Sequence, residues 1–209
     1  MRTVKMDERA FMKLSRIGLV FLLAAMPAML VEGAVDPALL SLVMPDAKIV
    51  AGVQVQQAQA SALGQYLMSQ IPASADFDKM VAATGFDPRR DLREIVAASP
   101  GTKDLGIVVG RGVFQPQRIS GMAALSGGTV SNYKGQELIA GKGSMGSIAF
   151  LDASTVVLGD TASLKAAIDR RLTGGQPSAD LRQRAIEAST RNDAWVVTAT
   201  PLTDRKSVV

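Results

Sequence analysis

Apolar residues follow three patterns along this chain, and each predicts a different kind of element. The longest is an uncharged run, Ile17 to Val31, preceded by Lys13 and Arg16 and followed by Glu32, Gly33 and Ala34. Fifteen residues make a helix of about 22 Å, short of the ~30 Å hydrocarbon core of a bilayer. A basic n-region, an apolar stretch and small residues at its end are the order of a secretion signal. Residues 1–33 are therefore expected to be a signal peptide cleaved after Gly33, with translation starting at Met12. Asp7 and Glu8 are out of place in an n-region. The rival reading is an uncleaved inner-membrane anchor formed by Ile17–Val31.

The second pattern is helical spacing. Ala60, Leu63, Leu67 and Ile71 repeat at three- and four-residue intervals, which predicts an amphipathic helix over 58–71. Phe77, Met80 and Val81 do the same over 76–84, where Gly85 stops the helix. Leu164, Ala167, Ile168 and Leu172 mark a helix over 161–172, with Arg170 and Arg171 in its last turn and Gly174 beyond. Helices are also predicted at 37–42, 116–125 and 178–190. Asp36-Pro37 and Asp87-Pro88 each pair an N-cap residue with proline at the first helical position.

The third pattern is short runs rich in β-branched residues between turn residues. It predicts strands at 48–55, 92–98, 105–110, 129–133, 137–140, 147–151 and 155–158. Asp193 to Thr200 echoes Asp46 to Val53: Asp-Ala, one larger residue, then a β-branched run. That echo suggests an internal duplication, with 34–190 as one α+β domain and 191–203 as the start of a truncated second unit. The codons GAT CGG AAG AGC GTC GTG TAG spell Asp204 to Val209 plus a stop. They match read-through of a common sequencing adapter, so 204–209 is expected to be a non-native tail. Helices falling between hairpin-rich strand groups predict an α+β fold. Its sheet should be mainly antiparallel with helices packed on one face.

Composition narrows the function. The full chain of 209 residues carries a net charge of +4, but between Ala34 and Thr203 sixteen basic residues meet fifteen acidic ones. The charges alternate instead of forming a basic face, and aromatic residues make up only 4%. Nucleic acid is therefore not an expected partner. With no histidine and no cysteine, imidazole bases, thiolate nucleophiles, disulfides and Cys/His zinc sites have no residues to build them.

The remaining motifs read as structural. Gly141-Lys142-Gly143-Ser144-Met145-Gly146 fits Gly-x-Gly-x-x-Gly, but a strand follows where a dinucleotide fold needs a helix, so a hairpin connection is expected. Asp152 and Asp160 flank a strand and read as turn and cap residues. The densest charge cluster, Asp87 to Glu94, offers one candidate anion or partner contact: Arg89, Arg90 and Arg93. No catalytic, cofactor-binding or metal residues are predicted.

Two segments, Thr84-Gly85-Phe86-Asp87-Pro88-Arg89-Arg90-Asp91 and Ala149 to Asp160, resemble a pattern of uncharacterised exported bacterial proteins. The resemblance covers most of 45–175, implies export and an α+β fold, and carries no activity. The resulting expectation is an exported, non-enzymatic envelope module, periplasmic or extracellular, that needs no cofactor. It would bind a protein or other envelope component and meet a membrane only through Ile17–Val31. The alternatives are an anchored form of the same module, or a hydrolase whose active residues lie in a missing C-terminal part.

Overall fold

The computed structural model describes residues 33–69, 75–101, 106–141 and 146–199. The expected signal segment up to Glu32, and the tail, lie outside the described residues. The elements run α1 (Pro37–Leu40), β1 (Ile49–Gln54), α2 (Val55–Ala60), α3 (Ala62–Ser69), α4 (Ala75–Thr84) and α5 (Pro88–Asp91). Next come β2 (Leu92–Ser99), β3 (Ile107–Gly112), α6 (Pro116–Leu125), β4 (Thr129–Tyr133) and β5 (Gln136–Ala140). The chain closes with β6 (Ser147–Asp152), β7 (Thr155–Gly159), α7 (Thr161–Thr173), α8 (Ala179–Ser189) and β8 (Ala194–Thr198).

The strands form one eight-stranded sheet in the order β4-β5-β6-β7-β3-β2-β1-β8, antiparallel at every pair. This is an α+β fold. The segment expected to open a second unit is β8, which pairs with β1 from Ile49↔Thr198 to Val53↔Ala194 as the edge strand of the same sheet. The echoing segments are thus neighbouring strands, each with β-branched side chains that fit a pleated surface. The predicted helix over 58–71 is broken at Ser61, whose hydroxyl accepts from Gly64 N–H at 3.0 Å and starts α3 anew.

One face of the sheet carries the main core. Val50, Val96, Val109 and Val157 project from the strands against Leu39 and Leu40 of α1, Leu164 and Ile168 of α7, and Leu181 of α8. Asp160 caps α7 by accepting from the Ala162 and Ser163 N–H groups, both at 2.9 Å. Asp152 accepts from Ser154 N–H at 2.8 Å in the β6–β7 turn and from Arg171 at 3.0 Å. Gly141 and Gly146 close the connection between β5 and antiparallel β6.

The other face is also apolar. Cross-strand partners run from Val130 on β4 through Ile139, Ile148, Leu158, Val108, Ala97 and Ala51 to Val196 on β8. Seven strand spacings make this row about 34 Å long. An antiparallel sheet with helices on one side ordinarily turns polar residues to solvent on the other. Here α6 covers the β4–β6 end of the second face, packing Ile119 and Ala123 on Ile139, Phe150 and Val156. Toward β1 the row is open: Leu158 is 36% exposed, Val108 37%, Ile49 40% and Val196 65%.

Candidate ligand-binding site

Between α4, α6 and the second face of the sheet lies a cavity of about 400 Å³. Its floor comes from Ile95 on β2, Gly110 on β3, Ile148 and Phe150 on β6, and Val156 and Leu158 on β7. Met80 and Thr84 of α4, Ile119 of α6 and Phe86 close it from above. Each floor residue sits at the register position that points away from the main core, so the cavity follows directly from strand alternation.

Two sequence features open this space. Gly110 stands opposite Ile95 and Val156, and a Cβ there would lie 3.0 Å from Val156 Cγ1. Glycine inside a strand takes away the side chain that would otherwise fill the floor. The register shift between Leu92 and Glu94 turns Leu92 to the cavity side along with Ile95.

The α4 part of the lid is fixed at its C-terminal end. Gly85 takes φ +71° and returns its N–H to Val81 at 2.8 Å, ending α4. Arg118 of α6 donates to the Ala82 carbonyl at 2.7 Å, which ties the C-terminus of α4 to α6. Phe86, Phe114 and Phe150 form a tilted chain at one wall, with centroids 5.2 and 5.6 Å apart.

The cavity offers a ligand almost no polar handle. Its one hydroxyl, on Thr84, donates to the Met80 carbonyl at 2.7 Å and accepts from Phe86 N–H at 3.2 Å. No group of three or more His, Cys, Asp or Glu side chains among the described residues is placed to hold a metal.

The arginines picked out from the sequence sit beside this lid without converging. Asp87 caps α5 through Arg89 N–H at 3.0 Å and takes two bonds from the Arg89 guanidinium, at 3.0 and 2.9 Å. The same guanidinium stacks 4.4 Å from the Phe77 ring centre. Arg90 forks onto Asp91 at 2.7 and 2.9 Å. The hydrogen bond from Arg89 holds the Asp87 carboxyl below its usual range, and that from Arg90 does the same for Asp91. Arg93 is exposed on β2. Two of the three guanidinium groups thus serve the turn that delivers Pro88 to the cavity wall.

A second polar cluster lies at the same end of β2, on the main-core face. Glu94, 7% exposed, accepts from Asp36 N–H at 3.2 and 3.3 Å. Arg111 pairs with the Asp36 carboxylate and donates to Thr155 Oγ1 at 2.6 Å and Ser154 Oγ at 3.2 Å. Burial, with the Asp36 charge adding to it, pushes the Glu94 carboxyl up to about 7. The cluster fastens the segment before α1 to the sheet, and Val35 N–H adds a bond to Ser189 Oγ at 2.9 Å.

Sequence periodicity marked most of the elements but missed the cavity. The available signal was in β6 and β7: Ile148-Ala149-Phe150-Leu151 and Val156-Val157-Leu158 are apolar at every position. Such runs mark strands covered on both faces.

The chain matches no protein-family model and no curated protein. Among solved structures it is similar to crystal forms I, III and IV of TP0453, at 12–14% identity and TM-scores of 0.47–0.49. The alignments cover 69–78% of this chain and 56–62% of the TP0453 chains. This chain therefore spans about three fifths of the length of those proteins, and the likeness is one of architecture.

Proposed function

We propose that this protein is an exported, non-enzymatic envelope module that binds a small apolar ligand in the cavity under α4 and α6. The carrying observation is the cavity itself: about 400 Å³, within the range of ligand sites, on a sheet face that is apolar from β4 to β8. With the Thr84 hydroxyl spent on its own helix end, recognition rests on shape and apolar area. A hydrocarbon chain suits such a lining, because a polar group placed inside would lose its hydrogen bonds to water without replacement. Export rests on the Lys13–Gly33 segment. Among the described residues no helix is long and apolar enough to cross a membrane.

Filling the floor tests the reading. Gly110→Val adds two methyl groups beyond the Cβ, and Ile95→Trp fills the same space from β2 in case the first variant repacks. Binding of the fluorescent apolar probe N-phenyl-1-naphthylamine is expected to weaken at least tenfold in both, about 1.4 kcal/mol, with far-UV circular dichroism unchanged. Wild-type affinity in two folded variants would remove the cavity from the account.

A further inference from the structure

Beside this cavity, the open part of the second face holds a groove of about 320 Å³. Its sides are Ile49, Val108 and Leu158, and its floor is the facing pair Ala51 and Ala97. Val108 and Leu158 line both spaces, so the groove starts where the cavity ends. The two together follow β2, from Leu92 and Ile95 in the cavity to Ala97 and Ser99 in the groove, along a strand about 23 Å from end to end. Ser99 Oγ already accepts from Gly101 N–H at 3.0 Å, so this stretch too is recognised through apolar contact.

Resting on the cavity reading, we infer that the ligand is a long single-chain amphiphile. Its terminal methyl lies in the cavity, and its chain crosses the Val108–Leu158 saddle and leaves along the Ala51–Ala97 groove. The shape of the floor selects this occupant. The facing alanines keep the floor low between larger side chains, and because Val108 and Leu158 line both spaces, a flexible chain rooted in the cavity meets this floor as it leaves. A second copy is disfavoured by extent, because a stable interface takes about 20–30 residues a side. The open end of this face offers Ile49, Ala51, Ala97, Val108, Leu158 and Val196. The polar head emerges near Ile49 and Ser99, where it keeps its hydration.

A fatty-acid series from octanoate to palmitate, titrated on the full chain, Ala97→Trp and Ala51→Trp, tests this. Aromatic residues are well tolerated in strands, and either one closes the groove while sparing the cavity. Each methylene buried from water tightens binding about fourfold. The inference requires that gain to continue through palmitate in the wild type and to stop at shorter chains in both variants. If the gain stops at the same chain length in all three proteins, the groove is not part of the site and only the cavity reading survives. If no chain binds any of them, both readings fall. A wild-type dimer by light scattering that Ala97→Trp dissociates and palmitate leaves intact gives the face to a second copy and overturns the inference.

Discussion

Gly52→Ala is expected to destabilise the fold by about 3 kcal/mol, a large loss for one methyl group. Gly52 faces Trp195 across the β1–β8 pair, and the indole lies flat in the space a side chain would take. An added Cβ would stand 2.3 Å from Cζ2, 2.5 Å from Cε2 and 2.9 Å from Nε1. Trp195 is buried in the main core, where the partly buried Ile186 and Ala188 of α8 also pack. The ring cannot yield without moving that helix or opening the edge strand. Alanine's smaller unfolded-state entropy offsets only about 0.5–1 kcal/mol. Trp195→Leu alone is costly through lost packing, but in the double variant the added methyl no longer collides. The pair should therefore cost at least 1 kcal/mol less than the sum of the singles. Urea unfolding followed by circular dichroism measures all three. A Gly52→Ala cost within 0.5 kcal/mol of zero, or strict additivity, would contradict the packing described.

The second large effect is on pH dependence, and it comes from Glu94. With its carboxyl raised from 4.5 to about 7, the folded protein keeps a proton between those values that the unfolded chain has released. Stability must then fall as pH rises through that window. The cost is absent below about 4.5 and complete above about 7. At 1.36 kcal/mol per pH unit it is on the order of 3 kcal/mol. The chain has no histidine, so no other side chain with an ordinary pKa titrates there. Glu94→Gln keeps an oxygen for the Asp36 N–H and removes the charge. Chemical unfolding at pH 5 and pH 8 should show the wild type losing stability at the higher pH while Glu94→Gln stays level. An equal slope in both proteins would place the effect elsewhere.

These two residues also show what was legible in the sequence. Cap and turn chemistry located elements to within a residue or two: Asp36-Pro37, Asp87-Pro88 and Asp160 each cap the helix expected from them. The main-core face of α7 was readable from Leu164, Ala167 and Ile168 because helical spacing is set within one segment and needs no distant neighbour. Gly52 and Gly110 were not interpretable, since a strand glycine means something only once its cross-strand neighbour is known. For Gly52 that neighbour is an indole; for Gly110 the neighbours are Ile95 and Val156 on the cavity floor. Glu94 falls within the Asp87–Glu94 charge cluster of the sequence, yet its hydrogen bond comes from the Asp36 N–H, and Arg111, opposite it on β3, pairs with the Asp36 carboxylate. The apolar second face was hidden for the same reason. Its residues are spread over eight strands, and only register joins Val130 to Val196.

The most direct test of an apolar chain held beneath α4 and α6 is contact between ligand and cavity methyl groups. Decanoate added to protein with labelled Ile and Met methyls should give intermolecular nuclear Overhauser effects to Ile95, Ile119, Ile148 and Met80. Effects confined to exposed methyls away from the cavity such as Met122, or none at saturating decanoate, would contradict the account.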